Sequence, residues 1–305
     1  GTYAATVKGT GNYQGSVDVQ FTVVKSMDSA LANFDYVAVD VAEADGKKVY
    51  TPSGCVSFNG KVLTEGVDYE IAYYASNGIG ATDLQCAYGP AFTTTSTPGN
   101  YVAVVTGLGD YDGQIAKKFQ VGSSQKNSIA GADITFGSVS SYTAAYTGSP
   151  VNVSNVKVKI GNTTLIKGSD YDVVCTNNID ASDSATVTIV GIGSYYGTAS
   201  KTFTIEPKSV KPLTITPKVG TDTDGKVNYT GSAIKADVML SDGGKTLDND
   251  KDYTVSYAAG RKNVGKYAVK ITCKGNYSGT KTLYFTINPK GTTIKSLTKG
   301  AKRFT

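Results

Sequence analysis

Residues 191–205, GIGSYYGTASKTFTI, decide the fold because the same pattern occurs four times along the chain. The other copies are residues 9–23 (GTGNYQGSVDVQFTV), 107–121 (GLGDYDGQIAKKFQV) and 273–287 (CKGNYSGTKTLYFTI). In each copy a tyrosine between glycines precedes a run in which apolar and polar residues alternate. This pattern is typical of a tight turn that leads into a half-buried β-strand. The chain is therefore predicted to be an array of one repeated β-unit.

The repeat has a period of about 82 residues, with one longer copy. Successive tyrosines of the turn lie 98, 84 and 82 residues apart, at Tyr13, Tyr111, Tyr195 and Tyr277. A second marker recurs at residues 63–69 (LTEGVDY), 165–171 (LIKGSDY) and 247–253 (LDNDKDY). In this marker we expect the aspartate to cap a turn and the tyrosine to enter the next strand.

Each unit contains several short runs with a two-residue apolar period, such as Val156, Val158 and Ile160. No stretch shows a sustained 3.6-residue period. Strands at intervals of about 8 to 12 residues predict a two-sheet antiparallel sandwich, because a sheet with one apolar face must cover it with another such face. We therefore predict an all-β chain of tandem Ig-like sandwich modules in an elongated array. A β-grasp module with one short helix at residues 29–33 is the alternative.

The phase of the repeat predicts the domain boundaries. They are residues 1–25 (the C-terminal half of a truncated repeat), 26–123 (a repeat with an inserted loop), 124–211 and 212–289 (two further repeats) and 290–305 (the start of a following module). A half-unit has unpaired strand edges and half a core, so residues 1–24 are expected to be loosely ordered or to add strands to a neighbour. We expect the chain to be a piece of a longer protein.

The composition argues against several classes of function. The chain has no histidine, which removes Ser-His and Cys-His catalysis and histidine metal ligands. It has no Gly-x-Ser-x-Gly motif and no convergent pair of acids. Lys and Arg number 30 against 25 Asp and Glu, without a basic stripe interleaved with aromatic residues, so no nucleic acid is expected as a partner. No apolar run is long enough for membrane insertion. We predict no enzymatic activity and no cofactor.

Calcium is the metal that the sequence leaves open as an alternative. Asp248, Asp250 and Asp252 alternate in the segment DNDKD. The segment lacks the regular loop and the twelfth-position glutamate of an EF-hand, and calcium requires six to eight oxygen ligands. Turn formation is a sufficient explanation, so no metal site is predicted.

An insertion makes one repeat the best candidate for a binding site. Tyr69 and Tyr101 are 32 residues apart, whereas the equivalent Tyr253 and Tyr267 are 14 apart, so about 18 residues are extra, within residues 76–98. Long loops on rigid scaffolds commonly carry binding functions. The candidate ligand surface consists of Tyr73, Tyr74, Tyr88 and Phe92. The alternative is an extra hairpin that covers an edge of its own sandwich.

Two of the four cysteines, Cys55 and Cys86, fall within one unit. They form the candidate disulfide, which would hold the inserted loop by constraining the unfolded chain. Cys175 and Cys273 are solitary in their units, so we expect them to be reduced.

The combination at residues 275–289, GNYSGTKTLYFTINP, resembles the tandem bacterial Ig-like repeats of Gram-positive cell-surface and secreted proteins. The resemblance covers residues 1–289, and the tail at residues 291–305 resembles the first strand of a fibronectin type III-like module. It implies a non-catalytic extracellular segment, at the cell surface or secreted, that serves as a stalk or in adhesion. Attachment to the cell wall would then occur through parts outside this chain.

Two alternative functions stay open at this point. One is a module that binds a host glycan or protein through the inserted loop. The other is an accessory region of a secreted multidomain hydrolase.

Overall fold

The structure is a computed structural model that describes residues 2–122, 124–137, 141–211, 214–219 and 224–291. Within these ranges the chain consists of strands joined by turns, with one 3-10 turn at Leu84–Cys86. The prediction of an all-β fold is confirmed. Residues 27–31 form turns and bends, so the helix of the β-grasp alternative does not form there. The predicted start of a following module lies almost wholly outside the described residues.

The chain divides into two compact units, Gly1–Glu206 and Pro207–Thr305. The first contains an N-terminal hairpin and two repeats, which we call module 1 (residues 25–122) and module 2 (residues 124–206). The second contains module 3 (residues 207–291). In the described part of both units, no helix is long and apolar enough to cross a membrane.

The N-terminal hairpin consists of β1 (Thr2–Lys8) and β2 (Ser16–Thr22), which among the described strands pair only with each other. The turn between them is tight, and the Gly9 N–H donates to the Gly15 carbonyl at 3.0 Å. Phe21 is 48% exposed, whereas the equivalent phenylalanines of modules 2 and 3 are buried. The hairpin is therefore a half-unit without a covered core, and among the described strands it is not added to a neighbouring sheet.

Module 1 consists of a three-stranded sheet, β4-β5-β6, a four-stranded sheet, β11-β9-β7-β8, and one short parallel pair, β3 with β10. Its strands are β3 (Lys25–Ser26), β4 (Ala32–Ala44), β5 (Lys47–Phe58), β6 (Lys61–Val62), β7 (Tyr69–Ser76), β8 (Ala87–Phe92), β9 (Gly99–Gly107), β10 (Tyr111–Asp112) and β11 (Gln114–Val121).

Module 2 repeats this plan with sheets β13-β15-β16 and β14-β20-β18-β17 and the short pair β12 with β19. Its strands are β12 (Asn127–Ser128), β13 (Asp133–Phe136), β14 (Thr143–Ala145), β15 (Val156–Ile160), β16 (Thr163–Thr164), β17 (Tyr171–Thr176), β18 (Ser182–Gly191), β19 (Tyr195–Tyr196) and β20 (Thr198–Glu206).

Module 3 has sheets β22-β24-β25 and β23-β29-β27-β26 and the pair β21 with β28. Its strands are β21 (Lys208–Ser209), β22 (Thr214–Lys218), β23 (Lys226–Asn228), β24 (Asp237–Asp242), β25 (Lys245–Thr246), β26 (Tyr253–Tyr257), β27 (Gly265–Cys273), β28 (Tyr277–Ser278) and β29 (Thr280–Asn288). The predicted repeat of a two-sheet unit is thus present in the structure.

The core of each sandwich lies between its two sheets. In module 1, Phe34 and Val56 of the three-stranded sheet pack with Tyr73 and Val105 of the four-stranded sheet. Alternation along most strands puts every second side chain into this core, as the sequence pattern predicted. The Asp-Tyr markers also behave as predicted, because each tyrosine is buried at the first position of β7, β17 or β26.

Module 1 differs from the other two in the course of one strand. In modules 2 and 3, β14 and β23 cross to the four-stranded sheet and pair in parallel with the last strands, β20 and β29. The matching residues of module 1 stay in β5, in a long hairpin with β4. The last strand, β11, is consequently at the edge of its sheet, with no described strand on its outer side.

Candidate functional site

The insertion, residues 76–98, crosses the outer face of the four-stranded sheet of module 1. Its 3-10 turn places Cys86 over β9, where the buried thiol packs on Val102 and Val104, with Tyr74 at the border of this cluster. The chain then returns as β8, which pairs with β7. The insertion therefore covers one sheet face and one sheet edge, which is the arrangement that the structural alternative predicted.

Asp83, in the insertion, compensates for the missing strand next to β11. The Lys118 N–H donates to Asp83 Oδ2 at 3.0 Å, and Lys118 Nζ lies 3.4 Å from Asp83 Oδ1. Hydrogen bonds to Cys86 and to Asp83 raise the pKa of the Lys118 amine. A side-chain carboxylate thus satisfies a backbone donor at an open sheet edge and blocks further strand pairing there.

The four aromatic residues of the predicted ligand surface do not form one surface. Phe92 packs inside the sandwich, with ring centroids 6.3 Å from Tyr73 and 5.1 Å from Tyr101. Tyr74 points to the opposite face of β7 and lies beneath the insertion. Tyr88 is 52% exposed and is the one member of the predicted set that is exposed. Neighbouring residues of a strand point to opposite faces, so Tyr73 and Tyr74 cannot share a surface.

An open cavity of about 490 Å³ lies beside the insertion. Its lining residues are Ser76, Gly78, Asn100, Lys118, Phe119 and Gln120. The charge of Lys118 is balanced there by Asp83. The cavity therefore offers the amides of Asn100 and Gln120 and the hydroxyl of Ser76 for hydrogen bonding. Its lysine, Lys118, adds no net charge, because Asp83 neutralises it.

The predicted disulfide between Cys55 and Cys86 is not formed, and both thiols are free. The Cys55 thiol lies 3.9 Å from Asp35 Oδ2, whereas the Cys86 thiol donates to the Thr82 carbonyl at 3.4 Å. Cys55 belongs to β5 of the three-stranded sheet, and Cys86 lies on the outer face of the other sheet. The two cysteines belong to one repeat unit, but the four-stranded sheet lies between their thiols.

Sequence reasoning missed a polar cluster around Asp35. Asp35 is the extra residue of a β-bulge between Phe34 and Tyr36, and bulges commonly redirect a side chain. Its carboxylate accepts hydrogen bonds from Ser57 Oγ at 3.1 Å and from Asn33 Nδ2 at 2.5 Å. The sequence indicates the bulge, because the apolar core residues of β4 are Phe34, Val37 and Val39, and the step of three residues breaks the two-residue period.

Electrostatics in this cluster oppose nucleophilic chemistry. Burial raises the pKa of the Asp35 carboxyl. Burial and the nearby Asp35 charge raise the pKa of the Cys55 thiol to about 11. The thiolate is the reactive form of cysteine, so Cys55 is held in its inert form at neutral pH.

The same region joins module 1 to module 2. The Tyr36 hydroxyl hydrogen bonds to Thr188 of β18, and burial raises the pKa of Tyr36 to about 12. Farther along β4, the Val39 carbonyl accepts from the Gly197 N–H at 2.9 Å. At the other end of the junction the Asn177 N–H donates to the Gly60 carbonyl at 3.0 Å. The junction is therefore a bonded interface.

Among the aspartates considered for calcium, Asp252 acts as a turn cap. Asp252 Oδ2 accepts from the Asp248 N–H at 2.9 Å, and Asp68 and Asp170 make the same contact in their own modules. The predicted capping role is confirmed. Asp250 is in the left-handed region, at φ 69°. No group of three or more cysteines and acids that could hold a metal ion occurs in the described ranges.

No family model matches the chain, and no curated protein matches it. Among solved structures, it is similar to the protocadherin GammaB4 extracellular domain, with 13% identity and a TM-score of 0.23. A second is the protocadherin gammaB7 EC3-6 cis-dimer, with 12% identity and a TM-score of 0.20. The matches cover 94% of this chain, 56% of the first and 84% of the second. The chain thus spans about half the length of the first protein.

Proposed function

We propose that the chain is a non-catalytic, load-bearing stalk segment of an extracellular bacterial surface protein. The position of the last strand in modules 2 and 3 carries this proposal. β20 and β29 each lie inside a four-stranded sheet, with a ladder of hydrogen bonds on both sides. The resemblance of the repeats to bacterial Ig-like modules supports the extracellular location.

A strand paired on both sides resists extraction along its own axis. In module 2, β20 pairs with β18 over most of its length and with β14 near its end. The Thr204 N–H donates to the Tyr142 carbonyl at 3.1 Å, and the Tyr146 N–H donates to the Glu206 carbonyl at 2.9 Å. These ladder bonds run across the strands. A pull along the chain therefore loads many bonds at once, as a stalk requires.

Module 1 provides an internal comparison, because its last strand has one strand partner instead of two. β11 pairs with β9, and on its outer side the Lys118 N–H is bonded to Asp83. We expect module 1 to unfold at lower force than modules 2 and 3.

The chemistry of Cys55 agrees with a non-catalytic role, because its raised thiol pKa keeps it in the unreactive protonated form at neutral pH.

Single-molecule force spectroscopy on the full chain, held at its two ends, tests the proposal. We expect three unfolding steps, two that release about 30 nm and one that releases about 34 nm, at about 3.5 Å per extended residue. The longer step belongs to module 1 and should come at the lowest force of the three. Unfolding of all modules in one step, or at the force that opens the β1–β2 hairpin, would exclude a load-bearing role.

A further inference from the structure

The outer face of the four-stranded sheet is occupied in modules 1 and 2 and exposed in module 3. In module 1, Cys86 of the insertion packs on this face. In module 2, Thr188 of β18 bonds to Tyr36 and is only 4% exposed. The residue of module 3 that corresponds to Thr188 in the repeat is Lys270 of β27, which is exposed, as is its cross-strand neighbour Thr282.

The charge of this sheet also differs between modules. The four-stranded sheet of module 3 contains no acid, and its four lysines are Lys226, Lys266, Lys270 and Lys281. The corresponding sheet of module 2 contains one lysine, Lys201, and its three acids are Asp172, Asp183 and Glu206. Of the acids near the sheet in module 3, Asp224 is already paired with Lys226 at 3.2 Å. Lys281 pairs with the buried Ile271 and so belongs to the opposite face of the sheet. The outer face therefore takes its positive charge from Lys266 and Lys270, and it is complementary to an anion.

The outer face of module 3 carries three groups that could contact an extended ligand. They are Lys266 and Lys270 of β27 and Tyr284 of β29. The two lysines lie four residues apart on β27, so their side chains leave the same face about 13 Å apart. Between them Ala268 pairs with Tyr284 of β29, and this small neighbour leaves the tyrosine 53% exposed. Lys266 Nζ lies 4.6 Å from the centre of the Tyr284 ring.

Hydroxyl groups surround the second lysine. Lys270 is paired with Thr282 on one side and with Ser256 on the other, and Thr272 follows on the same face of β27. These side chains are exposed. Hydroxyls both donate and accept hydrogen bonds, so they match the many hydroxyl groups of a sugar polymer.

We propose that the outer face of module 3 binds an acidic polysaccharide. The lysine ammonium groups pair with its carboxylates or sulfates, the hydroxyls bond to its sugar hydroxyls, and the exposed part of the Tyr284 ring packs on an apolar sugar face. A protein partner is disfavoured, because protein interfaces depend on anchors buried in pockets, and this face presents two lysines, one tyrosine and several hydroxyls on a flat sheet. The site is separate from the inserted loop and does not depend on the stalk function.

Calorimetric titration of the full chain with chondroitin sulfate tests the proposal, at low and at high salt. The double variant Lys266→Gln/Lys270→Gln should weaken binding about tenfold or more, because each charge-assisted hydrogen bond contributes substantially. The matched control is Lys157→Gln/Lys159→Gln on β15 of module 2, which makes the same change in net charge at two exposed lysines. The control should bind like the parent chain. Circular dichroism melts verify that both variants are folded.

Several results would overturn the proposal. They are the absence of binding to chondroitin sulfate, an equal loss of affinity in the control variant, and binding of uncharged dextran as tight as that of chondroitin sulfate. Poly-glutamate that binds as tightly, and loses affinity in the same double variant, would instead assign the face to an acidic protein. A selective loss in the Lys266/Lys270 variant, with an unchanged control, supports the polysaccharide.

Discussion

Asp35 shows how a single residue changes the chemistry of its surroundings. The bulge turns its carboxyl toward Ser57 and Cys55, and the raised pKa of the thiol follows from burial and from this neighbouring charge. The same bulge shifts the core positions of β4 by one residue. Tyr36 is thereby free to reach Thr188 in module 2.

The pH dependence of stability should reveal Asp35. Burial raises its pKa in the folded chain, so the folded state keeps the proton to higher pH than the unfolded state, whose pKa is about 3.9. Its contribution to stability is therefore greatest below about pH 4 and declines as the pH rises through the folded-state pKa. The free energy of unfolding of the parent chain, minus that of Asp35→Asn, should fall from pH 3 to pH 7 in urea titrations.

The Asn variant is a suitable reference because it keeps the shape of the side chain and cannot titrate. If the difference in unfolding free energy rises with pH instead, the hydrogen bonds from Ser57 and Asn33 outweigh burial, and the sign assigned to Asp35 is wrong.

At the scale of an element, β8 joins the insertion to the sandwich. Of its two aromatic residues, Phe92 packs against the core and Tyr88 is exposed to solvent. From the length of the insertion alone, replacement of residues 76–98 by the short equivalent 258–264 is expected to leave the sandwich folded. The structure changes that expectation, because the replacement removes Phe92 from the core and the Cys86 cover from Val102.

Substitutions on β8 distinguish its buried aromatic residue from its exposed one. Phe92→Ala should lower the free energy of unfolding of module 1 by about 2 to 3 kcal/mol, because a large, partly buried ring is removed. Tyr88→Ala should change it by less than about 0.5 kcal/mol. Urea unfolding of the two variants, beside the loop replacement, measures both effects. Equal effects of the two substitutions would mean that β8 is not part of the core.

At the scale of the whole molecule, hydrogen bonds join module 1 to module 2. Within the first unit, Asn177 of module 2 adopts φ 50° and accepts from the Val62 N–H of module 1 at 3.0 Å. Its own N–H donates to the Gly60 carbonyl at 3.0 Å. Asn177, in the turn between β17 and β18 of module 2, thus makes two hydrogen bonds to module 1.

Two substitutions at Asn177 test this junction by hydrogen exchange. Asn177→Gly keeps the positive φ and removes the side-chain acceptor, so exchange at the Val62 amide should accelerate while exchange at the residue 177 amide stays slow. Asn177→Ala adds backbone strain of about 1 kcal/mol, so both amides should exchange faster. Unchanged exchange at Val62 in both variants would show that the junction does not protect this amide.

Much of the fold was predictable from local patterns. The glycine-flanked tyrosine, the Asp-Tyr cap and the two-residue period occur within about 15 consecutive residues, and each acts through contacts between near neighbours. The candidate site was less predictable. Proximity in sequence groups Tyr73 with Tyr74, although strand geometry puts them on opposite faces. Membership of one repeat pairs Cys55 with Cys86, although they belong to different sheets.

The sequence by itself determined a repeated two-sheet unit, because alternation and turn chemistry are local properties of the chain. Only the tertiary structure decided which sheet faces are covered. Cys86 lies over Val102, and Tyr36 bonds to Thr188, through contacts that depend on the path of an insertion and on the approach of two modules. Such long-range contacts leave no periodic signal in the sequence, since each partner fits equally well into its own strand whether or not the other is present.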